Sequence, residues 1–388
     1  MLTREENETL TRVGRGTPAG EMLRRYWHPV AAAGELTEQK PIKAVKILGE
    51  ELVVYRDKAG RYGLIGEHCP HRSASLAFGR IDEEGIRCPY HGWKFDARGQ
   101  CLEQPAEPPE RCFKDKVKHI AYPVEKLGGL LFAYLGPDPA PLLPRWDVLA
   151  WEDGKRWIEV HEVLRCNWLQ PMENSVDPSH LYWLHGDTAH LGQSVERYEE
   201  EHEFIPFEFG IMKRRSTPAK SGAGRQIDQH PLIFPNTLRH VFRTLKTDDK
   251  IRHNVQIRVP VDDTHTQVYV VYFEPNDTDR SPAEGDTPWE FFALRDEQGE
   301  YRLEHVLVQD AMAWETQGAV TDRTLEHLGV GDEGIILFRK VLHEQIERVK
   351  QGNDPLGVMR SQDKNSILEF DVINERIGLR GNQQQRVA

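Results

Sequence analysis

Two short Cys/His pairs constrain this chain more than any other feature: Cys69-Pro-His71 and, after sixteen intervening residues, Cys88-Pro-Tyr-His91. Two thiolates and two imidazoles, one of each per loop, make the ligand set in which one iron of a [2Fe-2S] cluster takes sulfur and the other takes nitrogen. A fold that holds such a cluster has to bring two similar loops face to face. Zinc accepts the same ligand types, but zinc sites of this kind commonly group Cys with Cys and His with His. The Pro after each Cys (Pro70, Pro89) and the Gly92-Trp93 pair after the last ligand fit two loops closing on a cluster from opposite sides.

The four positions resemble the Rieske family, with every ligand position filled. A cluster of this kind moves one electron at a time, so the chemistry has to lie elsewhere. Residues 167–186 read NWLQPMENSVDPSHLYWLHG and contain Glu173, Asn174, Asp177, His180 and His185. Asp177 before Pro178 is a good helix start, since Asp accepts from an orphan amide and Pro suits the first helical position. Capping alone would account for that Asp. His180 and His185 lie roughly 140° apart on an ideal helix, so they share a target only if the helix ends or distorts between them. Gly186 offers a place for it to end. Two His and one carboxylate on one face hold mononuclear iron with positions left open. The carboxylate is expected downstream in LEHVLVQDAMAWETQG, where Asp310, Glu304 and Glu315 are available and the two Glu could equally be solvated helix charges.

Together the two segments resemble the alpha (terminal oxygenase) subunits of the Rieske non-haem iron oxygenases. The opening MLTREENETLTRVGRGTPAGEMLRRYWHPV and the late TDRTLEHLGVGDEGIILFRKVL resemble the phthalate 4,5-dioxygenase subgroup, and HPLIFPNTLRH resembles the dehydrodivanillate O-demethylase type. The resemblance implies a [2Fe-2S] cluster on Cys69, His71, Cys88 and His91, and mononuclear Fe(II) on His180, His185 and Asp310, with Glu315 the second choice. Asp177 and Asn174 are the candidate catalytic residues. Asp177 would bridge His91 and His180 across a subunit boundary in a head-to-tail homotrimer. Electrons would come from NAD(P)H through a flavin and iron-sulfur reductase, and dioxygen and an aromatic small molecule would be the substrates. The implied reaction is hydroxylation or O-demethylation of a carboxylated or methoxylated ring. The alternatives are cis-dihydroxylation of an aromatic acid and electron transfer alone.

At 388 residues with 38% hydrophobic content the chain can bury two cores. The expected fold class is α+β: residues 1–40 a helical segment with a pattern at Glu21 to Tyr26, 41–144 a Rieske β domain, and 145–388 a catalytic domain. Family resemblance makes the last a helix-grip fold, an antiparallel sheet embracing helices, with helices expected at 301–318 and 333–350. A net charge of −12 argues against a nucleic-acid partner, so none is expected. The longest apolar stretch, Leu127 to Leu135, is about half a membrane span, which argues against a membrane protein. Cys101, Cys112 and Cys166 form no paired framework and MLTREENETL is too charged for a signal peptide, so a reducing cytoplasm is the expected location. Lys213-Arg214-Arg215 reads as a solvated strand end. Arg239, Arg243 and Arg258 read as surface residues, although an inward Arg would suit a substrate carboxylate. Strand segments 207–212, 232–238 and 268–273 are expected to line an apolar, aromatic pocket. Gly329-Val-Gly331-Asp-Glu-Gly334 spells GxGxxG, but it follows a helical pattern and carries two acids, so no dinucleotide site is expected there.

Overall fold

Thr3 starts the first helix, Arg4–Thr11, with a capping box in which its side chain accepts from the Glu6 amide and Glu6 reaches back. The second helix is Pro18–Leu23, earlier than the Glu21–Tyr26 pattern, because Thr17 caps it and Pro18 takes the first position. The computed structural model describes residues 1–185, 200–219, 224–243 and 250–380. Strand Trp27–Ala32 then pairs antiparallel with Leu130–Tyr134, tying the N-terminal segment to the end of the cluster-bearing region. Between them lie two four-stranded antiparallel sheets, one built on Ile42–Ile47, Glu50–Arg56, Tyr62–Gly66 and Ala121–Tyr122, the other on four strands of two or three residues from Arg80 to Glu103. Their shared core of Val53, Tyr55, Ile65, Leu76, Ile86 and Phe95 includes Cys69 and Cys88.

The second half alternates strands and helices: β1 (Asp153–His161), α1 (Leu169–Ser175), α2 (His180–Trp183), β2 (Glu201–Phe207), β3 (Gly210–Pro218), β4 (Arg225–Ile233), β5 (Thr237–Arg243), β6 (Ile251–Asp262), β7 (His265–Arg280), β8 (Trp289–Phe292), α3 (Val306–Thr316) and α4 (Glu333–Lys350). The sheet order is β2-β3-β4-β5-β6-β7-β1-β8, with two short strands at Ile373–Asn374 and Leu379–Arg380 attached through β4. All neighbours along the path are antiparallel except β1 and β8. Alternation gives the sheet two apolar faces. Ile233 and Val241 pack under Phe370, Val372 and Leu379 on one. On the other, Phe242, Val268, Val270 and Tyr272 receive Val308, Ala311 and Trp314 of α3.

Helix α1 is fastened by charge. Glu173 accepts from Arg323 (2.9 and 2.7 Å) and from Arg339 of α4 (2.6 Å), all three side chains buried. The two guanidiniums hold its carboxyl below the usual range against the opposing effect of burial.

Several sequence expectations need correction. α4 runs as expected, but α3 begins at Val306 rather than 301, because Tyr301 bridges back to Arg295 and His305 sits extended at the cap. The basic triplet is not a solvated strand end: alternation on β3 turns Lys213 and Arg215 inward, where Arg215 pairs with Asp228, and leaves only Arg214 outside with Glu203. Arg239 is fully buried against Asp147 (3.0 Å) and His253 (2.8 Å), and Arg258 is 2% exposed, so neither lies at the surface. Arg243 is half-buried beside the Ile377 carbonyl. At the GxGxxG segment Asp332 accepts from the Gly329 amide at 2.7 Å, closing a turn that runs into α4. Among the described residues no helix is long and apolar enough to cross a membrane.

Candidate metal centres

Each cysteine loop is set by its own backbone. The Cys69 amide donates to Ala74 O (2.9 Å) and the Ser73 amide to Cys69 O (2.8 Å). In the second loop the Cys88 amide donates to Trp93 O (2.8 Å) and the Gly92 amide to Cys88 O (3.1 Å). Gly92 turns there with φ 75°, and a Cβ would meet Pro105 Cγ at 2.8 Å, so this position admits only glycine. The two thiols are buried and adjacent. Burial, with the neighbouring Cys88, pushes the Cys69 thiol up to about 12 despite a backbone hydrogen bond. The His71 and His91 rings meet edge-on at 4.6 Å, and Trp93 stacks on His71 at 4.5 Å with the planes 5° apart. Nδ1 of His71 is buried and has no hydrogen-bond partner among the described residues. Two buried sulfurs beside two imidazoles, one with its inner nitrogen unspent, fit a cluster ligated on one side by sulfur and on the other by nitrogen.

The second centre draws on distant parts of the chain. Helix α2 covers only His180–Trp183, ending before His185, so the two imidazoles escape the 140° separation of a continuous helix. Gly186, the expected terminator, lies outside the described residues. Asp310 comes from α3: its Oδ1 lies 3.2 Å from His185 Nε2 and 3.6 Å from His180 Nε2. The three donor atoms fall within 4.8 Å of one another. Both outer nitrogens are committed, since His180 Nδ1 donates to Asp177 O (2.5 Å) and His185 Nδ1 to Gln309 Oε1 (2.8 Å). Both Nδ1 atoms are thereby taken, and both Nε2 atoms face Asp310. Gln309 is itself aimed by donating to Leu303 O at 2.8 Å.

Electrostatics suit a cation. Burial drives His180 toward the neutral form, outweighing Asp310 and Asp177. At His185 burial is outweighed by the Asp310 and Gln309 hydrogen bonds, which raise it. Asp310 is held below the usual carboxylate range by the His185 hydrogen bond and by the charges of His180, His185 and Arg258, against burial. A carboxylate facing two imidazole Nε2 atoms, with the proton between His185 and Asp310 given up on binding, is the donor set of a two-His, one-carboxylate iron site.

The other candidates separate cleanly. Glu315 is taken up by Arg295, Tyr301 and the Arg165 amide, so it is neither a solvated helix charge nor turned toward the histidines, and Glu304 sits exposed beside Arg302 and His305. Asp177 Oδ1 accepts from Ser179 N (2.9 Å) and Oγ (2.6 Å), and its Oδ2 lies 3.8 Å from His180 Nδ1. Within one copy of the chain its carboxylate meets these groups and not His91. Asn174 lies half-buried on α1, and among the described residues its side chain has no hydrogen bond. Two residues escaped sequence reasoning. Gln309 was visible only as the neighbour of Asp310. Arg258, read as surface, donates to Ser175 Oγ (2.6 Å) and Gln256 Oε1 (2.9 Å) under Trp314 and adds positive potential at Asp310.

Comparison with known proteins adds the following. Residues 26–120 match the Rieske [2Fe-2S] domain family, and residues 295–378 match the family described as LigXa C-terminal domain like. The chain is 38% identical to the 5,5'-dehydrodivanillate O-demethylase oxygenase subunit of Sphingobium sp. (strain NBRC 103272 / SYK-6), over 100% of this chain and 90% of that protein. It is 34% identical to the phenoxybenzoate dioxygenase subunit alpha of Ectopseudomonas oleovorans, over 90% of this chain and 87% of that one. Among solved structures, Pseudomonas putida CBB5 NdmA, as the QL mutant with caffeine, superposes with a TM-score of 0.68 at 23% identity over 86% of this chain and 94% of that one, a likeness of fold.

Proposed function

The chain belongs to the alpha (terminal oxygenase) subunits of the Rieske non-haem iron oxygenases, and from that premise we propose that it oxidises an aromatic small molecule carrying methoxy or carboxylate groups, by hydroxylation or O-demethylation. The observation that carries the reading is the convergence of His180 Nε2, His185 Nε2 and Asp310 Oδ1 with both outer nitrogens already spent. Names of the relatives support an aromatic ring: one is an O-demethylase oxygenase subunit and another a phenoxybenzoate dioxygenase subunit. The second of these keeps cis-dihydroxylation as the alternative outcome.

In this proposal Cys69, His71, Cys88 and His91 hold the [2Fe-2S] cluster, and His180, His185 and Asp310 hold Fe(II). When bound, the mononuclear iron supplies reductive activation of dioxygen, with electrons that originate in a separate NAD(P)H-dependent reductase. The residues around it set the conditions. Gln309 and the Asp177 carbonyl fix the two imidazoles, and Arg258 helps keep Asp310 ionised. The half-buried His71 and His91 leave the cluster's histidine side near the surface, where a neighbouring subunit can approach. Asp177 would join the His91 of one copy to the His180 of the next in a homotrimer working in the cytoplasm. Residues 1–40, 41–144 and 145–388 would act as N-terminal segment, electron-accepting domain and catalytic domain.

The test is turnover of the iron-loaded protein with a surrogate reductase against methoxylated and carboxylated benzenes, following dioxygen uptake, product and formaldehyde together. O-demethylation releases one formaldehyde per methyl lost, and dihydroxylation gives a cis-diol and none. If no aromatic compound raises dioxygen uptake while an aliphatic amine or a sugar does, the substrate reading is wrong.

A further inference from the structure

The inward-facing half of the basic triplet reaches furthest beyond the two metal centres. On β3 and β4, Lys213 lies directly opposite His230, and Arg215 opposite Asp228. Directly opposed residues share a face of the sheet. The row continues through His240 on β5, Asn254 on β6 and Tyr272 on β7, the last two pairs also in direct register. His240 stacks on His230 with ring centroids 4.2 Å apart. This is the face that the helices cover: Arg258, on the same side of β6 as Asn254, reaches Ser175 of α1 and Trp314 of α3, and Tyr272 packs with Val308 and Ala311 of α3. The row therefore runs across the floor beneath the helix that carries Asp310. At its far end Lys213 is near enough for its charge to act on His180 and to be acted on by Asp177.

What the row offers is unspent. Lys213 is 5% exposed, and among the described residues its ammonium has neither a hydrogen bond nor an ion pair. A buried ammonium is costly without a partner, and groups left in that state gather at binding sites. His230 offers the opposite polarity. Its Nδ1 lies 2.8 Å from Asp228 Oδ1, a carboxylate also held by Arg215; the pair is not aligned as a hydrogen bond, but the nearby negative charge favours the proton on Nδ1 and leaves Nε2 its lone pair. Burial and the nearby cations of Lys213 and Arg215 keep the ring neutral, against Asp228. Among the described residues that Nε2 is buried with no hydrogen-bond partner, as is Oδ1 of Asn254.

A cationic donor beside a neutral acceptor discriminates among oxygen groups. A carboxylate satisfies the ammonium but sets lone pairs against His230 Nε2, and a methoxy oxygen can accept but has nothing to donate. A phenolic hydroxyl does both. We propose that Lys213 and His230 form the recognition site for a phenolic hydroxyl on the ring substrate, the oxygen accepting from Lys213 Nζ and the O–H donating to His230 Nε2. The inference rests on the aromatic reading above and narrows it to phenols.

The experiment is equilibrium dialysis of the cluster- and iron-loaded protein against three probes of similar size: 2-methoxyphenol, 1,2-dimethoxybenzene and 3-methoxybenzoate. Wild type should prefer 2-methoxyphenol to each of the others by about tenfold or more, since a site built to hydrogen-bond a hydroxyl rejects analogues that leave it unpaired. Lys213→Met and His230→Leu should each shrink that preference to about threefold or less. Equal binding of 2-methoxyphenol and 1,2-dimethoxybenzene, or preference for 3-methoxybenzoate, overturns the hydroxyl assignment and leaves the aromatic reading in place. Failure of all three rings to bind overturns both. A folded variant of either residue that keeps the full wild-type preference overturns the assignment to Lys213 and His230, and the second variant supplies the test if the first does not fold.

Discussion

The two metal centres of this chain are built in contrasting ways. The cluster loops are local: each is closed by hydrogen bonds between residues a few positions apart, and both grow from one small β core that holds the two cysteines. The proposed mononuclear site is assembled over distance, with His185 and Asp310 separated by 125 positions and brought together because α3 packs across the sheet. A local site can be built before the rest of the chain folds around it. A site of the second kind depends on the whole domain being right, and each imidazole needs a second residue to aim it.

The sharpest way to break this comparison is to remove a long-range ligand. Asp310→Ala should abolish mononuclear iron and cut turnover by about 10³-fold or more, while cluster absorption and the reduced EPR signal stay at wild-type levels. Cys69→Ser should do the reverse at the cluster. Loss of both centres in Asp310→Ala would mean the two sites are not independent, and retention of iron there with loss in Glu315→Ala would move the third ligand.

A smaller effect is expected where the two centres have to communicate. Asp177→Asn keeps an Oδ1 that can accept from Ser179 N and Oγ, so the local turn survives. The charge that would link two imidazoles across subunits is gone. Both metals should remain bound, and single-turnover transfer from cluster to iron should slow by about 100-fold, the upper end for losing a partner that orients a ligand imidazole. Unchanged single-turnover kinetics would reduce Asp177 to its capping role.

How much of this was legible in the sequence follows the same division. The proposed cluster ligands Cys69, His71, Cys88 and His91 were legible as two spaced pairs because each loop is closed by its own backbone. His180 and His185 were legible only as a pair needing a break in the helix, which the end of α2 at Trp183 supplies. Residue chemistry alone left Asp310 and Glu315, five apart on one helix, both available, and only the family resemblance put Asp310 first. The choice is made by Arg295 and Tyr301, which engage Glu315 and leave Asp310 to the histidines. Lys213 was misread because a run of three basic residues looks solvated unless one knows that β3 alternates and that Asp228 and His230 wait opposite on β4. Among the described residues Asn174 has no side-chain hydrogen bond that would give it a role.

Gln309→Leu sharpens the comparison further. The change is nearly isosteric but leaves His185 Nδ1 buried without its acceptor. Iron affinity should fall by about tenfold, the lower end for a lost orienting partner, with His185 still in place. Chelator titration of the ferrous protein measures it, and an unchanged titration would show that the Asp310 and His180 positions suffice to aim the ring.

The smallest effect expected is on stability, and it runs opposite to the others. Burial takes Lys213 down to about 8, outweighing the attraction of Asp228, Asp177 and Glu200. Its folded value therefore lies below its unfolded one, and between the two the unfolded chain binds more protons. The cost of burying the ammonium is fully present below pH 8 and is relieved as the pH rises toward the ordinary lysine range. Lys213→Met should thus stabilise the ligand-free protein by about 1–3 kcal/mol at pH 7, as replacing buried charge with a well-packed apolar side chain can. The gain should shrink steadily between pH 8 and about pH 10, where wild type sheds the proton itself. Urea melts of wild type and variant at pH 7 and pH 10 supply the four numbers. A variant less stable at pH 7, or a gain independent of pH, would mean that Lys213 already has a partner in the folded chain, and the cluster-bearing half should show no such pH-dependent difference.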